Sequence, residues 1–304
     1  MKIATTTGDF ARYCPTDAER IRELHRAGFR YIDLSLYSLP ESHPYMQEGW
    51  RDEIKKIKNL ADELGMKFVQ AHAPGANFLS PTLADPDFVE RSILRSIEIC
   101  AELGIQNNVI HFGFGKELSK QESFQKNLDY LQKFFPALER YGVNLLVENS
   151  CQKNMGEIYY PNSGADIAEF LALASHKHLH ACWDTGHANC EGPQYEQITA
   201  LGKELYALHY NDNHGKSDEH VIPFLGTLNH DEVLHALIDI GYSGYFTLEC
   251  EAALVSDGGW PHKRRVFEAD KRLANAPLPV KQQSEILLYT AAKHILCAYD
   301  LFEE

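Results

Sequence analysis

No run of roughly 18 consecutive apolar residues occurs in the chain, so a membrane-spanning helix is not expected. The opening stretch Met1-Lys2-Ile3-Ala4-Thr5-Thr6-Thr7-Gly8-Asp9 lacks the apolar core of a secretory leader. The seven cysteines are odd in number and none forms a Cys-x-x-Cys pair, which argues against a disulfide framework. Together these absences lead us to expect a cytoplasmic protein. No glycine-rich phosphate loop is present, which weighs slightly against a phosphorylated substrate. Basic residues are also scarce: 29 Lys and Arg face 43 Asp and Glu, a net charge of −14. Proteins that grip nucleic acid carry a basic stripe or patch. The densest basic run here, His262-Lys263-Arg264-Arg265 followed by Lys271-Arg272, lies beyond the last expected strand and reads as a solvated helix face.

What the chain does have is a repeated ending. Six short apolar runs each stop at a side chain able to bind metal: His72, His111, Glu148, Asp184, His209 and Glu249. The gaps between them are 39, 37, 36, 25 and 40 residues, about one strand-plus-helix unit each. Helical patterns fill the intervals, which argues for parallel βα units. In the first of these, Thr16-Asp17-Ala18-Glu19 is a helix start and Gly28 a stop. Later helices are expected at Trp50 to Leu64, Asp85 to Leu103 and Ser119 to Tyr141, and a loop from Tyr37 to Gly49 should cover part of the mouth. No linker or composition break divides the sequence. The expected fold is a single α/β domain over residues 1–304: a (β/α)8 TIM barrel over about 2–251, then C-terminal helices over about 261–303. The last helix should close the barrel, and it is also a surface on which a homo-oligomer could form.

In such a barrel every strand's C-terminal end faces one mouth. Six acids and imidazoles would converge there, and a cation is the economical way to hold them together. Glu148, Asp184, His209 and Glu249 supply three carboxylates and one imidazole, a set suited to one divalent ion such as Mn²⁺, Mg²⁺ or Co²⁺. Zn²⁺ is feasible too, more so if His72, His111 or His187 joins. His187, three residues past Asp184, is expected to contact substrate. The cysteines near strand ends (Cys151, Cys182, Cys190, Cys250) show no ligand spacing and read as packing.

The motifs Gln70-Ala71-His72-Ala73-Pro74, Val109-Ile110-His111, Val147-Glu148-Asn149, Asp184-Thr185-Gly186-His187, Leu208-His209-Tyr210-Asn211-Asp212, Asp218-Glu219-His220 and Leu248-Glu249 complete the picture. As a set the chain resembles the xylose isomerase-like TIM barrels, which include sugar isomerases, ketose 3-epimerases and endonuclease IV. The resemblance implies a metal held by Glu148, Asp184, His209 and Glu249. It also implies that the two glutamates exchange the substrate proton through an enediolate, and that His187 contacts substrate. His72, His111 and His220 would line the same pocket. One departure stands out. The epimerases carry an arginine shortly after the counterpart of His209, whereas this chain has Asn213-His214-Gly215-Lys216 and then Asp218-x-His220. Endonuclease IV uses that last pair for a third zinc, so the alternatives of a zinc phosphodiesterase, a metal-assisted dehydratase or a non-catalytic sugar-binding protein remain beside the favoured sugar isomerase. The acidic balance argues against the nuclease. The aromatic mouth loops (Phe10, Tyr13, Tyr37, Tyr45, Phe112, Phe114, Tyr159, Tyr160, Phe224) suit a small-molecule sugar, with neither nucleic acid nor membrane as partner.

Overall fold

The structure, a computed structural model, describes residues 1–151, 159–251, 254 and 268–304. Eight strands are present: β1 (Ile3–Thr6), β2 (Tyr31–Ser35), β3 (Lys67–His72), β4 (Asn107–Ile110), β5 (Asn144–Glu148), β6 (Leu179–Asp184), β7 (Leu205–His209) and β8 (Phe246–Leu248). They form one parallel sheet in the order β7-β6-β5-β4-β3-β2-β1-β8. The seam between β7 and β8 is closed just past His209, where Tyr210 N donates to Thr247 O at 2.7 Å and Glu249 N to Tyr210 O at 3.3 Å. The result is a (β/α)8 barrel, as the strand-end pattern implied.

The helices are α1 (Asp17–Ala27), α2 (Trp50–Glu63), α3 (Pro86–Leu103), α4 (Lys120–Leu131), α5 (Phe135–Tyr141), α6 (Gly164–Ala174), α7 (Thr185–Glu191), α8 (Tyr195–Leu201), α9 (His230–Asp239) and α10 (Leu278–Ala298). Local chemistry sets their ends. Thr16 and Glu19 form a reciprocal capping box at the start of α1. Gly104 (φ 74°) ends α3 in the left-handed region, where a side chain would strain the backbone. Apolar helix faces, such as Ile93 and Ile97 of α3 and Val233 and Leu234 of α9, bury against the outside of the sheet.

Two expectations need correction, and a third falls on residues the structure does not describe. The helix expected from Ser119 to Tyr141 is broken by a 3₁₀ turn at Gln132–Phe134, because Pro136 has no N–H and crowds the preceding turn. The basic run His262 to Arg265 lies outside the described residues. Residues 268–275, expected in a helix, form turns and bends, and α10 begins at Leu278. The interval between Asp184 and His209 holds two short helices, α7 and α8, which account for the shortened gap. The last helix does close the barrel's side. It packs on α1, with Tyr289 against Phe29 just past that helix's end (centroids 5.2 Å apart), and it buries an ion pair, Lys281 Nζ to Glu285 Oε2 at 2.7 Å. Among the described residues no helix is long and apolar enough to cross a membrane.

Candidate metal centre

Side chains alternate in and out along a strand, so residues two apart share a face. Counting back two from His111, Glu148, Asp184 and His209 gives Val109, Leu146, Cys182 and Ala207. These pack together as a small apolar cluster inside the barrel, separate from the main core. His111, Glu148, Asp184 and His209 form the next inward layer, at the mouth. One residue of register slip would have turned the whole set outward.

The layer is tightly built. Glu148 is fully buried at its centre. Its Oε2 lies 2.7 Å from His111 Nε2 and 3.3 Å from His72 Nε2. Its Oε1 lies 2.6 Å from His209 Nδ1, and Glu249 Oε2 approaches the same nitrogen at 3.5 Å. Glu148, Asp184, His209 and Glu249 each place one donor atom within 4.8 Å of the others. The four residues singled out by the sequence therefore meet. Three carboxylates and an imidazole with donor atoms this close form a donor set that fits a divalent ion.

Asp184 does two jobs. Its Oδ1 caps α7 by accepting from His187 N at 2.6 Å, while its Oδ2 accepts from Asn211 Nδ2 at 2.8 Å. Asn149 grips the adjoining backbone, accepting from Asp184 N at 2.7 Å and donating to Asp184 O at 2.9 Å. Gly186 is required beside this clamp, because a Cβ there would sit 1.8 Å from Asn211 Oδ1. A second group lies alongside. Asp184, His187 and His220 have donor atoms within 4.8 Å of one another. Asp218 Oδ2 bridges His220 Nε2 at 2.7 Å and His187 Nε2 at 3.1 Å. His220 adopts φ 46°, a costly conformation for a non-glycine residue that aims its ring into this group.

Charge is polarised within the cluster. Burial alone would neutralise Glu148, but His209 and His111 hold its carboxyl well below the usual range. Burial would also discharge His209, yet Glu249 and Glu148 raise it well above a free imidazole. Glu249 goes the other way: burial, with Glu251 and Glu148 nearby, pushes it up to about 8. In the metal-free protein the surroundings thus push the two glutamates in opposite directions.

Sequence reasoning placed His72, His111, His187 and His220 at the mouth, and all four line a cavity of about 700 Å³. Of the aromatic residues expected there, Tyr37 and Tyr45 line it. Phe10, Phe112 and Tyr159 are core residues, and Phe224 packs on His230 and His294. Four participants were missed as site residues: Asp33, Asn149, Asn211 and Glu251. Asp33 is fully buried in β2, and neither of its oxygens has a hydrogen bond; its Oδ2 lies 3.6 Å from His209 Nε2. The signal was a carboxylate in the middle of the apolar run Tyr31-Ile32-Asp33-Leu34.

Comparison with known proteins finds sugar epimerases among the relatives of this chain. The fructoselysine 3-epimerase of Shigella flexneri is 31% identical over 207 residues, covering 64% of this chain and 72% of that protein. The D-psicose 3-epimerase of Ruminiclostridium cellulolyticum is 23% identical over 241 residues, 75% of this chain and 76% of the relative. A crystal structure of D-psicose 3-epimerase with D-tagatose from Clostridium cellulolyticum H10 superposes with a TM-score of 0.74 at 17% identity, covering 97% and 99% of the two chains. The family model described as xylose isomerase-like TIM barrel matches residues 21–270, and the chain belongs to that family.

Proposed function

We propose that this chain is a divalent-metal-dependent sugar isomerase or epimerase acting on a small ketose or related polyol-derived substrate. The observation that carries the reading is the placement of Glu148 and Glu249 beside the same ring nitrogen of His209, in one buried four-residue donor set. Glu148, Asp184, His209 and Glu249 would hold the ion. When bound, a divalent ion there supplies Lewis-acid polarisation of a carbonyl and offsets charge that develops on oxygen. The remaining steps belong to the chain. The deprotonated glutamate removes a proton from the carbon beside the carbonyl, and the other returns one to carbon, so the product depends on where the proton lands. His187, His72, His111 and His220 supply the polar wall that orients hydroxyl groups. The epimerase names of the relatives support a ketose as the first substrate class to try.

The test is turnover of a ketose panel in D₂O with Mn²⁺, Mg²⁺ or Co²⁺ added. We expect epimer or isomer carrying solvent deuterium. Glu148→Gln and Glu249→Gln should each lower kcat by roughly 10²- to 10⁴-fold. Full activity in both variants would overturn the mechanism. A phosphodiesterase is the second reading, and the adjacent Asp184, His187 and His220 group favours it by offering donors for a further ion. The net charge of −14 stands against it, because phosphate backbones are met with Lys and Arg. Metal content decides between the two: one ion per chain supports sugar chemistry, and two or three zinc ions support hydrolysis.

A further inference from the structure

The cavity extends well beyond the metal-capable cluster. At one end it is lined by Glu249 and His220, and at the other by Asp17, Arg20 and Tyr45, from the start of α1 and the β2–α2 loop. Its volume of about 700 Å³ is in the range of pockets that enclose drug-sized ligands rather than a lone small sugar.

Tyr37 lines the same cavity, half exposed, with its ring edge-on to His72 and His111 at centroid distances of 5.3 and 6.2 Å. Its placement is built in. Gly75 N donates to Tyr37 O at 3.0 Å, and a Cβ on Gly75 would lie 2.2 Å from the phenol ring. The ring gives the cavity an apolar surface suited to the carbon face of a sugar.

The far end is built as well. Arg20 Nε donates to Cys14 O at 2.9 Å and its Nη1 to Asp17 Oδ1 at 3.0 Å. Asp17 Oδ2 in turn accepts from Tyr45 Oη at 2.7 Å. Two bonds therefore fix the guanidinium plane. Its second terminal nitrogen has no partner among the described residues, although the side chain is only 18% exposed. Both oxygens of Asp17 are engaged by neighbours, so its charge is directed at the arginine and the tyrosine. A pre-set guanidinium with one open edge on a cavity is an anion site whose ordering cost is already met by the fold.

We infer that the far half of the cavity is a subsite for a substituent on the sugar, ending in an anionic group, carboxylate or phosphate, that docks on Arg20. This rests on the sugar isomerase reading and narrows its substrate class to substituted ketoses.

The test compares four ketoses on one enzyme preparation: D-fructose, fructose 6-phosphate, a 1-amino-1-deoxyfructose carrying a carboxyalkyl chain on nitrogen, and the methyl ester of that last compound. For the wild type, kcat/KM for the acid or the phosphate should exceed that for the ester and for fructose by roughly tenfold or more, mostly through KM. Whichever anion gains identifies the source. In Arg20→Gln the acid-to-ester ratio should fall to about one, and Arg20→Lys should restore part of it. The ratio is internally controlled, so a general loss of folded enzyme does not affect it. If neither anion outperforms its neutral counterpart in the wild type (acid against ester, phosphate against fructose), or if the gain is unmoved in Arg20→Gln, the subsite is overturned. If no ketose is turned over, the sugar isomerase reading fails. Calorimetric binding of acid and ester to the wild type and Arg20→Gln then still decides whether the anion site exists.

Discussion

Both ring nitrogens of His209 face carboxylates, Nδ1 at 2.6 Å from Glu148 Oε1 and Nε2 at 3.6 Å from Asp33 Oδ2. Among the described residues neither Nε2 nor the two Asp33 oxygens has a hydrogen-bond partner, so the two groups face each other alone inside the barrel. A buried carboxylate left unpaired is costly, and an imidazole N–H pointed at it relieves that cost while fixing which nitrogen faces the mouth. Asp33 thus acts on a bound ion only through His209. Asp33→Leu should weaken Mn²⁺ binding by roughly 10- to 100-fold, measured by titration calorimetry on protein first stripped with chelator. A lower melting temperature with an unchanged dissociation constant would show that Asp33 serves only the fold. The strand ends were legible in the sequence because each closes an apolar run. Asp33 was not, because an acid inside a strand signals nothing until the register shows which face it takes and what stands across from it.

At the scale of elements, the site depends on the junction between β6 and α7. Asp184 ends a strand and caps a helix in the same residue, so the capping bond to His187 N fixes the carboxylate that faces the cluster. Asn211, just past β7, reaches across to its other oxygen, and it fits only because residue 186 has no side chain. Gly186→Ala would force the two apart, since the obstructed atom is the polar end of a buried amide with little room to move. We expect this variant to fold, with a melting temperature lowered by a few degrees, and to bind a divalent ion at least about tenfold more weakly, as loss of an outer partner generally does. Gly186→Ala paired with Asn211→Ala should recover packing but not affinity, which separates crowding from the lost hydrogen bond. Affinity equal to wild type in the single variant would refute the clamp. The sequence carried Gly186 within a motif but gave no reason for it. That reason is a distance between two strands 25 residues apart at their ends (Asp184 to His209). Local signals worked better: the capping box at Thr16 was readable directly, whereas α7 and α8 were hidden by their shortness and a weak apolar pattern.

Across the whole molecule, the mouth gathers proton-holding groups whose effect on stability has a definite sign. Burial, with Glu251 and Glu148 close by, raises Glu249 to about 8. His209, His187 and His220 are also raised well above their ordinary values, in each case by neighbouring carboxylates that outweigh burial. Between pH 7 and 8 the unfolded chain has already released these protons while the folded, metal-free protein keeps them. A raised folded pKa gives stability that is complete at low pH and lost as pH climbs through that value. The metal-free protein should therefore melt at progressively lower temperature from pH 7 to 9. Ion binding has the opposite slope, because the ligands Glu249 and His209 must give up protons to coordinate, so affinity tightens over the same interval. Ion at about 100 times its dissociation constant adds roughly 2.7 kcal/mol, on the order of 5 °C in melting temperature for a chain of this size. Thermal unfolding followed by circular dichroism, with chelator and with Mn²⁺, should give two melting curves that diverge as pH rises. Parallel curves would mean that the ion does not compete with these protons, and would remove Glu249 and His209 from the donor set.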